Sequence, residues 1–389
     1  MKNFTSEELC VLIFLSRVAA GRTEPFVRLL RDNHSPVEIL EKAVSGFFPG
    51  MEAEVQCLRK NFYPEQELER CLKAGVSIIG FNDPLYPAML REIYDPPIVL
   101  YVKGTLLPCD SAAVAIVGSR HASVYGAQQA RRFARELAQS GFTIVSGLAR
   151  GIDLAAHQGA LEVPSGRTIA VLGCGVDVFY PKENSEFYSR IAERGAVVSE
   201  YALGSEPCAH HFPKRNRIIS GFSLGVLVVE AHVRSGSLIT ARLALEQGRE
   251  VFAMPGRIDQ VTSRGTHQLL REGAFLADST EVLVEAMAPE GKRLLKASMQ
   301  VENEGGFTAN AGIVPFVPPH PKPEPNPLEN LNAETARLVS LLQESSLTPD
   351  ELQQRSALTG DDFFSALLWL ELTKTVKKLP NGMLELNVR

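Results

Sequence analysis

Four short apolar runs in the middle of the chain each lead straight into a turn of small, polar or basic residues. They are AVAIVGSR from Ala113, TIVSGLARGID from Thr143, TIAVLGCGVD from Thr168 and VLVVEAHVRSGS from Val226. Unbroken apolar runs of this length suit strands covered on both faces, and stretches between them such as Gly126 to Ser140 have helical periodicity. A mostly parallel sheet with crossover helices follows, and in such sheets the ligand crevice lies beyond the carboxyl ends of the strands. Those ends carry Gly118, Ser119 and Arg120, then Gly147 and Arg150, then Ser235, Gly236 and Ser237. Glycines let backbone amides approach an anion, helix starts add a positive dipole, and guanidinium groups supply full charge. The residue types at this edge suit phosphate.

A chain of 389 residues has room for two or three domains. The formal net charge of -5 argues against bulk-charge coating of nucleic acid, but it leaves room for a local basic groove. Six cysteines, Cys10, Cys57, Cys71, Cys109, Cys174 and Cys208, form no C-x-x-C pair and suit reduced thiols. The opening MKNFTSEELC has no signal-peptide pattern, and no run reaches the roughly 18 apolar residues of a membrane span. The expectation is a cytoplasmic protein without a membrane partner.

Four segments are expected: a helical module over 1–80, an α/β domain over 81–287, a proline-rich linker over 288–330 and a winged helix over 331–389. In the first, Glu8 to Ala19, Pro25 to Arg31 and Pro36 to Val44 read as helices that pack together rather than as nucleic-acid contacts. Prolines 84, 87, 96 and 97 then break the chain into turns before the sheet. Further strands are expected at Ala196 to Ser199 and Glu250 to Ala253. Near the carboxyl end, Asn332 to Gln343, Thr348 to Ser356 and Thr359 to Leu372 read as three helices, and Asn381-Gly382 between short apolar segments reads as a hairpin wing.

Basic side chains are expected to converge on the strand-end edge from turns rather than helix faces. Beyond Arg120 and Arg150 these are Lys182, the cluster Lys214, Arg215, Asn216 and Arg217, and Arg234. Phe212 beside that cluster joins a ring to cations, as single-strand binders do. The competing reading has Phe212 plugging the core and Asn216 capping a helix. Ser235 to Ser237 suit either a helix cap or a phosphate-binding turn. Asp153 and His157, spaced i, i+4, read as groups that orient the turns rather than as an acid/base pair. Cys208 with His210 and His211 lacks a fourth ligand at a useful spacing, so no metal is expected.

Signatures of catalysis are sparse. There is no G-x-x-x-x-G-K-[ST], Gly173-Cys174-Gly175 lacks the third glycine of G-x-G-x-x-G, and neither Ser119 nor Ser146 sits in a G-x-S-x-G elbow.

Taken in order, VAIVGSR, VSGLARGIDLAAH, TIAVLGCGVD, YPKEN, FPKRNRIISG, VVEAHVRSGSLITARLALEQGREVFAMPG and GTHQLLREGA resemble the DNA-processing protein A family (DprA/Smf) over about residues 80 to 285. The resemblance implies an extended Rossmann-like domain between a helical, SAM-like module and a winged helix. It also implies a homodimer that binds single-stranded DNA in natural transformation and loads the RecA recombinase, with no catalysis and no cofactor. By motif it carries Gly118, Ser119, Arg120, Gly147, Arg150, Lys182, Lys214, Arg215, Asn216, Arg217 and Ser235 to Ser237 into a DNA pocket, and places dimerisation on the carboxyl part of the domain, including His267 to Leu270. The alternative is a nucleotide-binding sensor or nucleotide-hydrolysing enzyme of related fold. The third winged-helix segment begins Asp361-Asp362 and is rich in apolar residues, which favours a protein-facing role over duplex contact.

Overall fold

The computed structural model describes residues 4–19, 22–287, 289, 290 and 293, and near the carboxyl end 333–356, 358–360, 362, 363, 366, 367, 370, 376–378 and 383–386. Five helices open the chain: α1 (Ser6–Ala19), α2 (Glu24–Arg31), α3 (Pro36–Val44), α4 (Glu52–Asn61) and α5 (Pro64–Ala74). Local chemistry sets their ends. Ser35 and Glu38 form a capping box ahead of α3 with Pro36 at its first turn, and Gly75, at φ 61°, closes α5 in the left-handed conformation.

The sheet follows, with β1 (Ser77–Gly80), a short α6 (Ala88–Arg91), β2 (Val99–Gly104), β3 (Ala113–Val117), α7 (Val124–Gln139), β4 (Thr143–Ser146), α8 (Ile152–Glu162) and β5 (Thr168–Val171). It continues through α9 (Ser185–Arg194), β6 (Ala196–Ser199), α10 (His211–Phe222), β7 (Gly225–Val228), α11 (Gly236–Glu246), β8 (Glu250–Ala253), α12 (Arg264–Arg271) and β9 (Phe275–Leu276). The strand order is β1-β2-β6-β5-β4-β3-β7-β8-β9. From β3 to β6 and from β7 to β9 the neighbours run parallel, as do β3 and β7, whereas β2 is antiparallel to both β1 and β6.

Every residue of β3, β4, β5 and β6 is buried, which explains why these runs show no alternation. Along β3 the faces separate cleanly. Val114 and Ile116 pack with Phe133 and Leu137 of α7, while Ala115 and Val117 join the core that holds Ile218, Ile219 and Phe222 of α10. Each fully buried Val or Ile stabilises the fold by roughly 1.5–3 kcal/mol before entropy is counted.

Residues Met1–Phe316 form one compact unit. The expected division at residue 80 falls at the end of β1, so the sheet starts at Ser77 and takes in the last residues assigned to the helical module. Leu12, Phe26 and Ile39 of that module belong to the same core as Val102 and Val198 of the sheet.

The second unit is Val317–Arg389. It contains helices Ala333–Glu344 and Pro349–Ser356 and the antiparallel pair β10 (Val376–Lys378) and β11 (Leu384–Leu386). Phe363, Leu367 and Leu370 are buried in its core with Leu338 and Leu352, so these three apolar residues of the third segment serve packing. The Asn381-Gly382 turn, Trp369 and most of the proline-rich linker lie outside the described residues.

Candidate nucleic-acid interface

After β3 the chain moves to β4, β5 and β6 on one side and, on its return, to β7, β8 and β9 on the other. The carboxyl ends beside β3 are therefore the topological switch point, where a crevice opens. A cavity of about 590 Å³ lies there, lined by Gly118, Ser119 and Arg120 after β3 and by Arg234, Ser235, Gly236 and Ser237 after β7. A smaller hollow of about 40 Å³ adjoins it at the ends of β4 and β5, with Gly147, Arg150, Gly173 and Tyr180 in its wall. Arg120, Phe212 and Arg215 line both.

The turns are held from beneath. Arg215 is 4% exposed, and its guanidinium donates to the carbonyls of Gly147 (2.9 Å) and Val171. Asp153, also buried, accepts from the Gly147 amide at 3.1 Å. Burial raises the Asp153 pKa while the Arg215 charge pulls it back, and burial lowers that of Arg215. Only glycine fits at 147, because a β-carbon there would collide with the Arg215 guanidinium. The following Leu148 has φ 53°, rare for a branched side chain, and Asn184 fixes it by donating to its carbonyl at 2.9 Å.

Two further devices shape the edge. Glu230, at the end of the strand run after β7, accepts from the Ser123 amide (2.9 Å) and hydroxyl, and Ser123 in turn caps α7 through the Gly126 amide at 2.9 Å. Ser235 caps α11, its hydroxyl accepting from the Ser237 amide at 3.3 Å. A β-carbon on Gly236 would meet nothing within 4 Å, so the backbone at this helix start faces open space.

The aromatic contribution sits at the same place. The Arg120 guanidinium lies 5.4 Å from the Phe212 ring centroid, and the Tyr180 ring lies 5.5 Å from that of Phe212. Phe212 is half-buried in the cavity wall and does not plug the core. Tyr180 was not singled out from the sequence, where it reads only as the residue before Pro181-Lys182; an aromatic residue joined to a proline and a cation was the available signal. Glu230 was likewise missed, although an acid closing the run LVVE marks a strand end that needs partners.

The cation cluster does not lie in a turn. Lys214, Arg215, Asn216 and Arg217 belong to α10, whose first turn tolerates Pro213 because the amide there has no helical partner. Their side chains consequently diverge. Arg217 points away from the crevice, pairing with Glu200 and, at 3.3 Å, with Asp95. Lys214 is exposed but lines a different cavity. Asn216 lines the crevice and donates to the Gly236 carbonyl at 3.3 Å, a bridge between α10 and α11 rather than a cap. Arg150 pairs with Glu183 in solvent, and Lys182 is exposed on the same turn without lining either hollow.

Potential reactive groups are committed elsewhere. The Ser146 hydroxyl donates to the Ile116 carbonyl, and burial pushes the Cys174 thiol up to about 11, so it stays protonated near neutral pH. The Thr168 hydroxyl donates to the Ile144 carbonyl and therefore accepts from His157 Nδ1 at 2.7 Å, which fixes His157 as the neutral Nδ1–H tautomer. Among the described residues no group of three or more His, Cys, Asp or Glu side chains is placed to hold a metal ion.

Burial first and the Arg215 charge second push the His157 pKa down to about 3 from 6.5. Between those values the unfolded chain binds a proton that the folded one does not, so the site's contribution is present above pH 6.5 and is lost as pH falls towards 3. His157→Leu is expected to flatten the fall in urea-unfolding stability below pH 6.5 by about 1.4 kcal/mol per pH unit. Equal slopes in the two proteins would contradict it.

Fold and crevice together define a Rossmann-like protein with an open crevice at the switch point of its sheet. The family model for DNA recombination-mediator protein A matches residues 77–288, and that for the DprA winged helix domain matches residues 322–382. The chain belongs to the DNA recombination-mediator protein A family, DprA/Smf, the one its motifs resemble. Protein Smf of Synechocystis sp. is 35% identical over 350 residues, spanning 87% of each chain. DNA processing protein DprA of Streptococcus pneumoniae is 50% identical over 204 residues, 52% of this chain and 72% of that protein. The X-ray structure of the Streptococcus pneumoniae protein aligns with a TM-score of 0.62 at 37% identity, covering 74% of this chain and 99% of that one. DNA processing protein A of Helicobacter pylori, whose structure concerns its single-stranded DNA binding mode, aligns with a TM-score of 0.50 at 32% identity over 55% of this chain and 96% of its own. The α/β, mostly parallel fold with a carboxyl-terminal winged helix stands on these matches. Among the described residues no helix is long and apolar enough to cross a membrane.

Proposed function

We propose that this protein binds single-stranded DNA along the strand-end crevice, protects incoming strands during natural transformation and hands them to the RecA recombinase. The observation that carries this reading is the meeting, at one switch point, of exposed Arg120 and Arg234, the open start of α11 and the Arg120–Phe212–Tyr180 ring cluster. Cations and helix-start amides suit successive phosphates, and the rings suit stacked bases. Family membership as a recombination mediator supports delivery to a recombinase. The commitment of Ser146, Cys174 and His157 to internal contacts favours holding the ligand over hydrolysing it. Cytoplasmic location is part of the same reading.

Homodimerisation on the carboxyl part of the sheet fits the apolar surface there. Phe275 and Leu276 of edge strand β9 are 45% and 47% exposed, and nearby in sequence Ile258 is 90% exposed.

Titration of fluorescent single- and double-stranded oligonucleotides at two salt concentrations tests the proposal. The expected result is preference for the single strand, without sequence preference, and affinity that falls as salt rises because released counterions drive binding. Affinity that ignores salt, or preference for duplex, would overturn it.

A further inference from the structure

In the helical module α1 packs against α3, α4 and α5, and an open groove of about 760 Å³ runs along them. Three of these helices line it with regular stripes. Glu7, Val11 and Phe14 come from α1, Glu65, Leu68 and Leu72 from α5, and Leu40 and Val44 from α3. Spacings of three, four and seven residues put each set on one helix face. The apolar lining is open to solvent: Leu72 is 49% exposed, Val44 44%, and Tyr63, which precedes α5, 58%. Single exposed apolar residues are ordinary, whereas a contiguous set rimmed by polar groups marks a docking surface. The rim here is acidic. Glu7, Glu65 and Glu69 face one cation, Arg59. Glu69 pairs with Lys73 at 2.7 Å, whereas Glu7 and Glu65 have no ion-pair partner among the described residues. Burial raises the pKa of the Cys10 thiol in the groove and the Glu65 carboxylate raises it further, so that charge bears on the apolar floor.

We propose that this groove docks a basic amphipathic helix of a partner protein. Its lining residues lie on helices and on the short link before α5, and none belongs to a strand. Helical backbone is already paired, so the groove offers no edge on which an extended peptide could add a strand. The occupant must satisfy its own backbone, as a helix does. The stripes on α1 and α5 each cover two turns, about 11 Å, which matches apolar anchors at i, i+4 and i+7 of an incoming helix. Lysine or arginine beside those anchors meets Glu7 and Glu65, and an acidic helix of the same shape is repelled. The crevice at the strand ends takes no part in this contact, since the two share no lining residue.

Fluorescence polarisation of the full chain with a labelled peptide of about 16 residues, leucines on one helical face and lysines on the other, tests this. Two controls accompany it: the same residues scrambled out of helical period, and the same pattern with glutamate for lysine. The leucine–lysine helix is expected to bind saturably, and both controls at least about tenfold more weakly. Leu72→Gln should weaken binding by roughly fivefold to thirtyfold, the scale of one apolar anchor lost. Leu72 is exposed, so the melting temperature should stay level, which separates lost contact from lost fold. Glu65→Lys should weaken binding by roughly threefold to tenfold, whereas Glu246→Lys, an exposed acid on α11 outside the groove, should leave it unchanged. Equal binding of the scrambled or acidic peptide would overturn the proposal, as would equal losses in Glu65→Lys and Glu246→Lys or full binding in Leu72→Gln. Sedimentation supplies the remaining outcome: self-association that Leu72→Gln abolishes would give the groove to a second copy of this chain instead. Arg120→Ala should bind the peptide as the parent does, so this proposal and the DNA reading fail separately.

Discussion

Arg120→Ala is expected to weaken single-stranded DNA binding by roughly tenfold to a hundredfold at moderate salt, the scale of one charge-assisted hydrogen-bond pair lost to a phosphate. Arg120 is exposed, lines both hollows at the strand ends and has no ion-pair partner among the described residues, so its removal should leave the fold intact. A second reading comes from the same experiment. Each phosphate contact contributes about 0.7 to the slope of log affinity against log salt for single strands, so the variant's slope should be shallower by about that amount. Fluorescence anisotropy across a salt series measures both. Unchanged affinity and slope would remove Arg120 from the interface.

Arg215→Met should behave differently although the residue lines the same two hollows. It removes a buried cation that supports two backbone carbonyls and offsets Asp153, and breaking such an arrangement typically costs about 3–5 kcal/mol. Urea unfolding is expected to show that loss, and DNA affinity should drop with it because the turn from Gly147 to Gly151 loses its prop. Asp153, raised by burial, then keeps its proton more tightly in the folded state than in the unfolded one. Stability of the variant should therefore improve as pH falls, the opposite direction to His157. Adding Asp153→Asn should recover part of the stability, since the neutral amide can still accept from the Gly147 amide. A single variant as stable as the parent would show that the guanidinium supports nothing.

The central strands were legible because each is a compact apolar run with no competing pattern: Ala113–Val117, Ala196–Ser199 and Glu250–Ala253 lie within or on the segments read from sequence. β1 was not, since Ser-Ile-Ile-Gly between a helix and a proline turn is too short to declare a period. The strand-end glycines and Arg120 were found by position alone. What sequence could not show was the fate of neighbouring arginines. Arg215 and Arg217 sit two residues apart on one helix and are both buried, yet one faces Asp153 and the other Asp95 and Glu200, partners on separate segments of the chain.

The antiparallel strand β2 has a consequence for the evolution of this architecture. Without it the parallel sheet would end on β6, four fully buried residues whose bared backbone would invite pairing with another chain. The amino-terminal hundred residues thus act as a selvage, a woven border that keeps the fabric of the sheet from joining its neighbours. A lineage could discard β2 only by finding another cover for β6.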